Sequence, residues 1–252
     1  MNWLRSFLSN DSVFGQLMWR CGVIIGANLL FIVLSIPVVT VGAAYAAMHY
    51  TMLKTLRGNG QIQLFRTFWD GLRQNWKQAT IAWLMILAIL AVLGLELFWC
   101  SQFAGLVRYF GYGLLALMFV VLVVALYLFP TMAAFEATLR QLVMNSIYFA
   151  IRRPHYLILI LFANIFPVVL TYMYFEFLPL AAFLWCMLGF GAIAMFTDSL
   201  LVNQFKPYLP EVDAAGDIIP EDMLDDPDLV VSGAGDSMDE RKTLKEIRKH
   251  GV

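Results

Sequence analysis

The chain has 252 residues, of which 61% are hydrophobic, 15% aromatic and only 14% charged, with a mean hydropathy of +0.73. Soluble domains carry about 25% charged residues, so this composition excludes an ordinary water-soluble fold and points to a bilayer. The net charge of −1 conceals a split: residues 1–206 carry 12 Lys+Arg against 6 Asp+Glu, whereas residues 207–252 carry 5 against 12.

In chain order, Met1 to Arg20 repeats apolar residues at three- and four-residue spacing and reads as an interfacial amphipathic helix. The stretch Asn28 to Ala47 is an apolar run that meets Pro37, Thr40 and Gly42 and then stays apolar. A proline inside a helix removes one backbone hydrogen bond and clashes with the preceding turn, so Pro37 predicts a break, with Thr40 or Ser35 re-satisfying the freed carbonyls. Pro130 in Leu128–Ala134 predicts a second. Because roughly 20 apolar residues cross about 30 Å of hydrocarbon, spans are expected at about 21–40, 79–99, 108–131, 156–175 and 179–202. The first and third run on past their prolines as cytoplasmic extensions. Residues 12–53 could instead hold a re-entrant pair. The expected fold is an all-α polytopic membrane bundle of about five spans, two of them kinked at Pro37 and Pro130.

Lys and Arg accumulate on the cytoplasmic side of membrane proteins. The segment 54–77 holds Lys54, Arg57, Arg66, Arg73 and Lys77, and 136–155 holds Arg140, Arg152 and Arg153, which places both inside and the C-terminus cytoplasmic. Aromatics from Phe65 to Trp83 form an interfacial belt. Residues 207–252 are acidic, with eleven acidic residues from Glu211 to Glu240 and no basic residue between Lys206 and Arg241; this cannot bury a core and reads as a disordered tail ending in a short basic helix.

A weak parallel repeat emerges, pairing residues 21–99 with 108–175 and leaving 179–202 as a last span. Asn28 to Phe31, Ser35-Ile36-Pro37-Val38-Val39-Thr40-Val41-Gly42-Ala43, then Phe68, Gly71, Arg73, Asn75, Trp76, Pro130 and Asn145-Ser146 resemble the YesL family of predicted bacterial integral membrane proteins. The resemblance covers roughly residues 5–206. It implies a multi-pass protein of the bacterial cell membrane with no established activity, associated with carbohydrate-uptake ABC transporters; nothing carries over to the tail.

Polar groups inside spans are the functional pointers, because in hydrocarbon they face the bundle interior or a water-filled cavity. Asn28, Asn164 and Thr40 read as helix-to-helix glue, and Glu96 reaches toward headgroups. His49 and Glu136 each lie beyond a proline, so with Arg140 and Asp198 they could line one cytoplasm-facing polar cavity. Glu136 and Arg140, one turn apart, are expected to pair, and Asp198 has Lys206 as a distant partner. Cys21, Cys100 and Cys186 read as buried free thiols. With no phosphate loop and no metal-ligand spacing among His49, His155 and His250, neither catalysis, a cofactor, a metal nor a nucleic-acid partner is expected. Two classes remain: a non-enzymatic accessory of a carbohydrate ABC transporter, with its permease subunits or a membrane sensor as the expected partner, and a small transporter.

Overall fold

The computed structural model describes residues 13–58, 62–103 and 105–209, which are almost entirely helical, with no strand among them. Five helical stretches are long and apolar enough to cross a membrane: Gly15–Leu34, Leu64–Ser101, Val107–Ala134, Pro154–Met173 and Phe175–Tyr208. The elements are α1 (Val13–Leu34), α2 (Val41–Arg57), α3 (Leu64–Ser101), α4 (Leu106–Ala134), α5 (Leu139–Arg152), α6 (Pro154–Met173), α7 (Leu178–Leu184) and α8 (Phe190–Phe205). A π turn over Trp185–Gly189 joins α7 to α8. The expected N-terminal amphipathic helix lies outside the described residues up to Asp11 and its neighbour, while Val13 to Arg20 open α1; the acidic tail lies outside them from Pro210 onward.

The first span ends earlier than its hydropathy suggests. α1 stops at Leu34, and Pro37 is not a kink inside a helix but the capping position of a 3-10 turn, Val38–Thr40, at φ −77° and ψ 117°. A proline cannot donate to the turn before it and disfavours helical backbone in its predecessor, so the helix ends and a new one begins. Thr40 Oγ1 donates to the carbonyls of Leu34 and Pro37, the latter at 2.8 Å. Ser35 Oγ, the other candidate, is buried without a hydrogen-bond partner.

Beyond this break the chain reverses. Phe31 of α1 packs on Phe190 at 5.2 Å between ring centroids, and Ala27 shares a core cluster with Ala194, so α1 runs antiparallel to α8. His49 of α2 meets Asp198, and Leu53 clusters with Leu201, so α2 runs parallel to α8. Hence α1 and α2 form an antiparallel hairpin, whose tip exposes Ile36, Val38 and Val39. An exposed apolar tip is at home in lipid rather than water. Trp83 of α3 donates its indole N–H to Val38 O at 2.9 Å and pins that tip.

Gly42 belongs to the packing and not to the break. It sits in the first turn of α2, where a Cβ would lie 2.6 Å from Ala79 O and against Trp83 Cβ. Gly71 likewise admits the Tyr50 ring, so α2 and α3 pack antiparallel at close range. Pro130 also differs from expectation: it lies inside α4, which continues to Ala134. The break falls later, at 135–138, where Phe135 is extended (φ −130°, ψ 133°) and a Thr138/Gln141 capping box starts α5. There the Thr138 backbone N–H donates to Gln141 Oε1 at 3.0 Å, satisfying a group that a helix start would otherwise leave orphaned.

The core is concentrated at one end of the bundle. Ala43, Ala46, Ala79, Ile86, Phe129, Met132 and Leu142 form one buried cluster, and Leu53, Tyr127, Phe149, Ile160, Leu201 and Phe205 lie in another. At the opposite end Leu95, Phe98, Trp99, Tyr109 and Phe110 are exposed around the turn from α3 to α4, where Gly105 takes φ +78°, a conformation glycine adopts without Cβ strain. With 38 residues, α3 is about 57 Å long. It outruns the hydrocarbon, so its N-terminal turns with Arg66, Arg73 and Lys77 extend past the apolar slab. All three cysteines are free; Cys21 and Cys100 are half-buried and Cys186 is exposed, so none is the fully buried thiol expected.

Candidate functional site

Two of the four candidate cavity residues come together. His49 on α2 and Asp198 on α8, 149 positions apart, are both wholly buried, with Nδ1 2.9 Å from each carboxylate oxygen. The pairing follows from how the helices bury themselves. On α8 the buried positions Gly191, Ala194, Asp198, Leu201 and Phe205 recur every three or four residues and form one stripe. α2 is enclosed nearly all round, from Gly42 to Thr55, so any polar side chain on it must find an internal partner. With a carboxylate accepting at Nδ1, the imidazole carries its proton there. The other ring nitrogen, Nε2, is buried with no hydrogen-bond partner among the described residues. Tyr45, one turn earlier, sets its ring edge-on to the imidazole at 4.5 Å between centroids.

Glu136 and Arg140 do not join this pair. Both are exposed, and Glu136 accepts a hydrogen bond from the side-chain amide of Gln74. Glu136 lies in the extended link before α5, so the one-turn helical spacing that would have paired it with Arg140 does not exist. Asp198 finds His49 instead of Lys206 because its side chain lies on the interior stripe of α8. The cavity expected to unite His49 with Glu136 is therefore not formed: one residue is sealed in the core and the other is on the surface.

A second polar junction was legible only as an isolated asparagine. Asn28 of α1, wholly buried, donates through Nδ2 to Trp185 O at 3.1 Å and Cys186 O at 2.6 Å, and accepts from the Gly191 N–H at 2.8 Å. These are backbone groups of the π turn and of the first turn of α8, where the wide turn disturbs the regular ladder. Gly191 makes the approach feasible, because a Cβ there would lie 2.7 Å from Ile24 O. Asn164, by contrast, donates to Ile160 O within its own helix and, among the described residues, makes no hydrogen bond across the bundle.

At the basic end the guanidinium of Arg152 sits between the Tyr148 and Tyr208 rings, 5.7 and 5.6 Å from their centroids, and donates to the Tyr208 hydroxyl. The Tyr148 phenol is pushed up from its ordinary range, chiefly by its hydrogen bond with Tyr208. Gln204 Nε2 donates to Phe149 O at 2.8 Å, so the end of α8 is fastened to α5 twice. A cavity of about 420 Å³ lies elsewhere: Val168, Thr171, Tyr172, Phe175, Trp185 and Phe190 line it beside the π turn, and its walls are almost wholly apolar. Among the described residues no three His, Cys, Asp or Glu side chains gather in a way that could hold a metal ion.

The fold and these junctions define the class: a helical membrane protein of multiple apolar helices whose interior polar side chains are tied helix to helix. Residues 24–97 match the family described as a protein of unknown function, DUF624, the type of family to which the YesL proteins belong. That matched segment runs from the middle of α1 through most of α3 and contains Asn28, the break and His49. No curated protein and no solved structure matches the chain.

Proposed function

We propose that the protein is a non-enzymatic membrane accessory that docks on another membrane protein, the permease subunits of a carbohydrate ABC transporter being the partner that the YesL resemblance suggests. The observation that carries this reading is α6. Of its 20 residues only Ile160 is buried, and Ile158, Phe162, Ile165, Val168 and Tyr172 all face outward. Helices in lipid associate through side-chain packing, since lipid tails compete on equal terms for apolar surface. A helix that packs so little within its own bundle offers a ready face to a second one. The engagement of His49 with Asp198, and of Asn28 with the π turn, supports the same reading, because these groups serve the bundle's own cohesion.

A small transporter is the second reading, favoured by the unpartnered Nε2 of buried His49 beside a proline-broken hairpin. Broken helices near paired ionisable groups are a feature of transporter substrate sites. The two readings separate in one preparation. Purified from mild detergent, an accessory carries stoichiometric permease subunits and drives no uptake when reconstituted alone; a transporter gives substrate-dependent uptake in proteoliposomes without them.

A further inference from the structure

The N-terminal turns of α3 divide their solvent-facing side into two adjoining stripes. Phe65, Trp69 and Trp76 are exposed by 74%, 54% and 54%. At about 100° per residue they fall within roughly 40° of one another around the helix. Arg66, Arg73 and Lys77, all exposed, occupy the next roughly 40° band. Among the described residues none of these three cations makes an ion pair, although Asp70 lies one turn from both arginines. The opposite face, Thr67, Phe68, Gly71 and Asn75, is buried against the bundle. The helix continues without a break from these stripes into the apolar part of α3.

From this arrangement we infer that the basic end of α3 is a binding face for the headgroups of anionic phospholipids, with Trp69 and Trp76 seated at the acyl boundary and Arg66, Arg73 and Lys77 on the phosphates. Indole rings favour that boundary because their body is apolar and their N–H is a donor, and neighbouring cations gain from an anionic surface. A neutral headgroup satisfies the aromatic stripe and leaves the cations without a net counter-charge. The competing occupant is the acidic segment Glu211–Glu240 of the same chain, whose sign is also complementary.

The test uses the full chain in detergent, titrated with phosphatidylglycerol brominated on its acyl chains and, separately, with equally brominated phosphatidylcholine. Trp69→Phe/Trp76→Phe identifies the part of the fluorescence quenching that arises on this face. Each basic residue is worth about a fivefold gain in anionic-lipid affinity. The midpoint for phosphatidylglycerol should therefore rise on the order of 100-fold in Arg66→Gln/Arg73→Gln/Lys77→Gln and stay put in the charge-keeping Arg66→Lys/Arg73→Lys. Equal quenching by the two lipids overturns the inference, as does an unmoved midpoint in the neutralised variant. Quenching by phosphatidylglycerol that appears only when Asp222, Asp225, Asp226 and Asp228 are changed to Asn also overturns it, by giving the face to the acidic segment.

Discussion

Replacing His49 or Asp198 singly and together gives the sharpest check on how the hairpin is held. Both side chains are wholly enclosed, and each supplies the other's hydrogen bond. His49→Leu leaves the Asp198 carboxyl in the core without its hydrogen-bond partner, and removal of one partner from a buried pair costs about 3–5 kcal/mol. Asp198→Leu leaves an imidazole with neither nitrogen bonded, because Nε2 already has no partner. Its cost is about 1–3 kcal/mol by the desolvation of the newly unpaired Nδ1. The double variant His49→Leu/Asp198→Leu removes both and fills similar volume with apolar atoms, an exchange that is often neutral or stabilising by about 1–4 kcal/mol. Unfolding followed in detergent should thus show two destabilised single variants and a double variant close to the parent, a coupling of several kcal/mol. At about 2–4 °C per kcal/mol for a chain of this size, His49→Leu should lower Tm by roughly 6–20 °C and Asp198→Leu by roughly 2–12 °C. Additive losses in the double variant, or a His49→Leu protein that melts with the parent, would refute the inference that this pair closes the core. A double variant that is stable but abolishes uptake would shift the functional reading to the transporter.

Asn28→Leu should cost about 3 kcal/mol, roughly 1 for each hydrogen bond lost to Trp185, Cys186 and Gly191, and a Tm within 2 °C of the parent would speak against that role. Gly42→Ala forces a Cβ toward Ala79 O and should destabilise by about 1–3 kcal/mol, whereas Gly94→Ala, with open space around it, should be neutral or slightly stabilising; identical behaviour of the two would disprove close α2–α3 approach. The two prolines should respond with opposite sign. Pro130→Ala regains a backbone donor inside α4 and stabilises by up to about 3 kcal/mol, while Pro37→Ala, at a break whose φ of −77° suits proline, loses about 0.4–1 kcal/mol; shifts of the same sign contradict this. Cysteines at Arg66 and Arg153 should react with an impermeant reagent only from the cytoplasmic side and one at Gln102 only from outside, and labelling of Arg66→Cys in intact cells would reverse the orientation read from the charges.

The apolar helices were legible because hydrocarbon length and run length are directly related, and the expected 156–175 became Pro154–Met173 within two residues at each end. Residues 28–47 were harder to read. An apolar run through Pro37 looks the same whether the helix bends or stops and turns back, since neither outcome places a charge in the sequence. Only Trp83 reaching Val38, and the opposed directions of α1 and α2 along α8, distinguish them. The pairing of His49 with Asp198 had one usable signal: both are ionisable groups in apolar surroundings, which seldom remain single. Glu136 was the nearer choice by analogy between the two proline-bearing segments. The analogy broke down because Pro130 lies inside a helix and Pro37 before one, so the chain beyond each points differently.

The matched segment 24–97 is not self-sufficient, and this bears on where the chain's function resides. Its two buried polar anchors, Asn28 and His49, form their bonds with Trp185, Cys186, Gly191 and Asp198, all beyond its end. An Asn or His sealed in apolar surroundings without these partners would incur its full desolvation cost. The hairpin and the α7–α8 arm must therefore form together, with the π turn fitted to Asn28 on one side and the α8 stripe fitted to α2 on the other. α6 takes little part in this closure, burying only Ile160 and packing mainly against α8. The cohesive part of the molecule is thus α1, α2, α3, α4 and α8, and α6 joins it at the π turn, where the Trp185 indole N–H donates to Thr171 Oγ1 at 3.0 Å. A partner gained or lost at α6 should accordingly leave the His49–Asp198 coupling energy unchanged, and a change in that coupling on complex formation would place the docking surface on the hairpin instead.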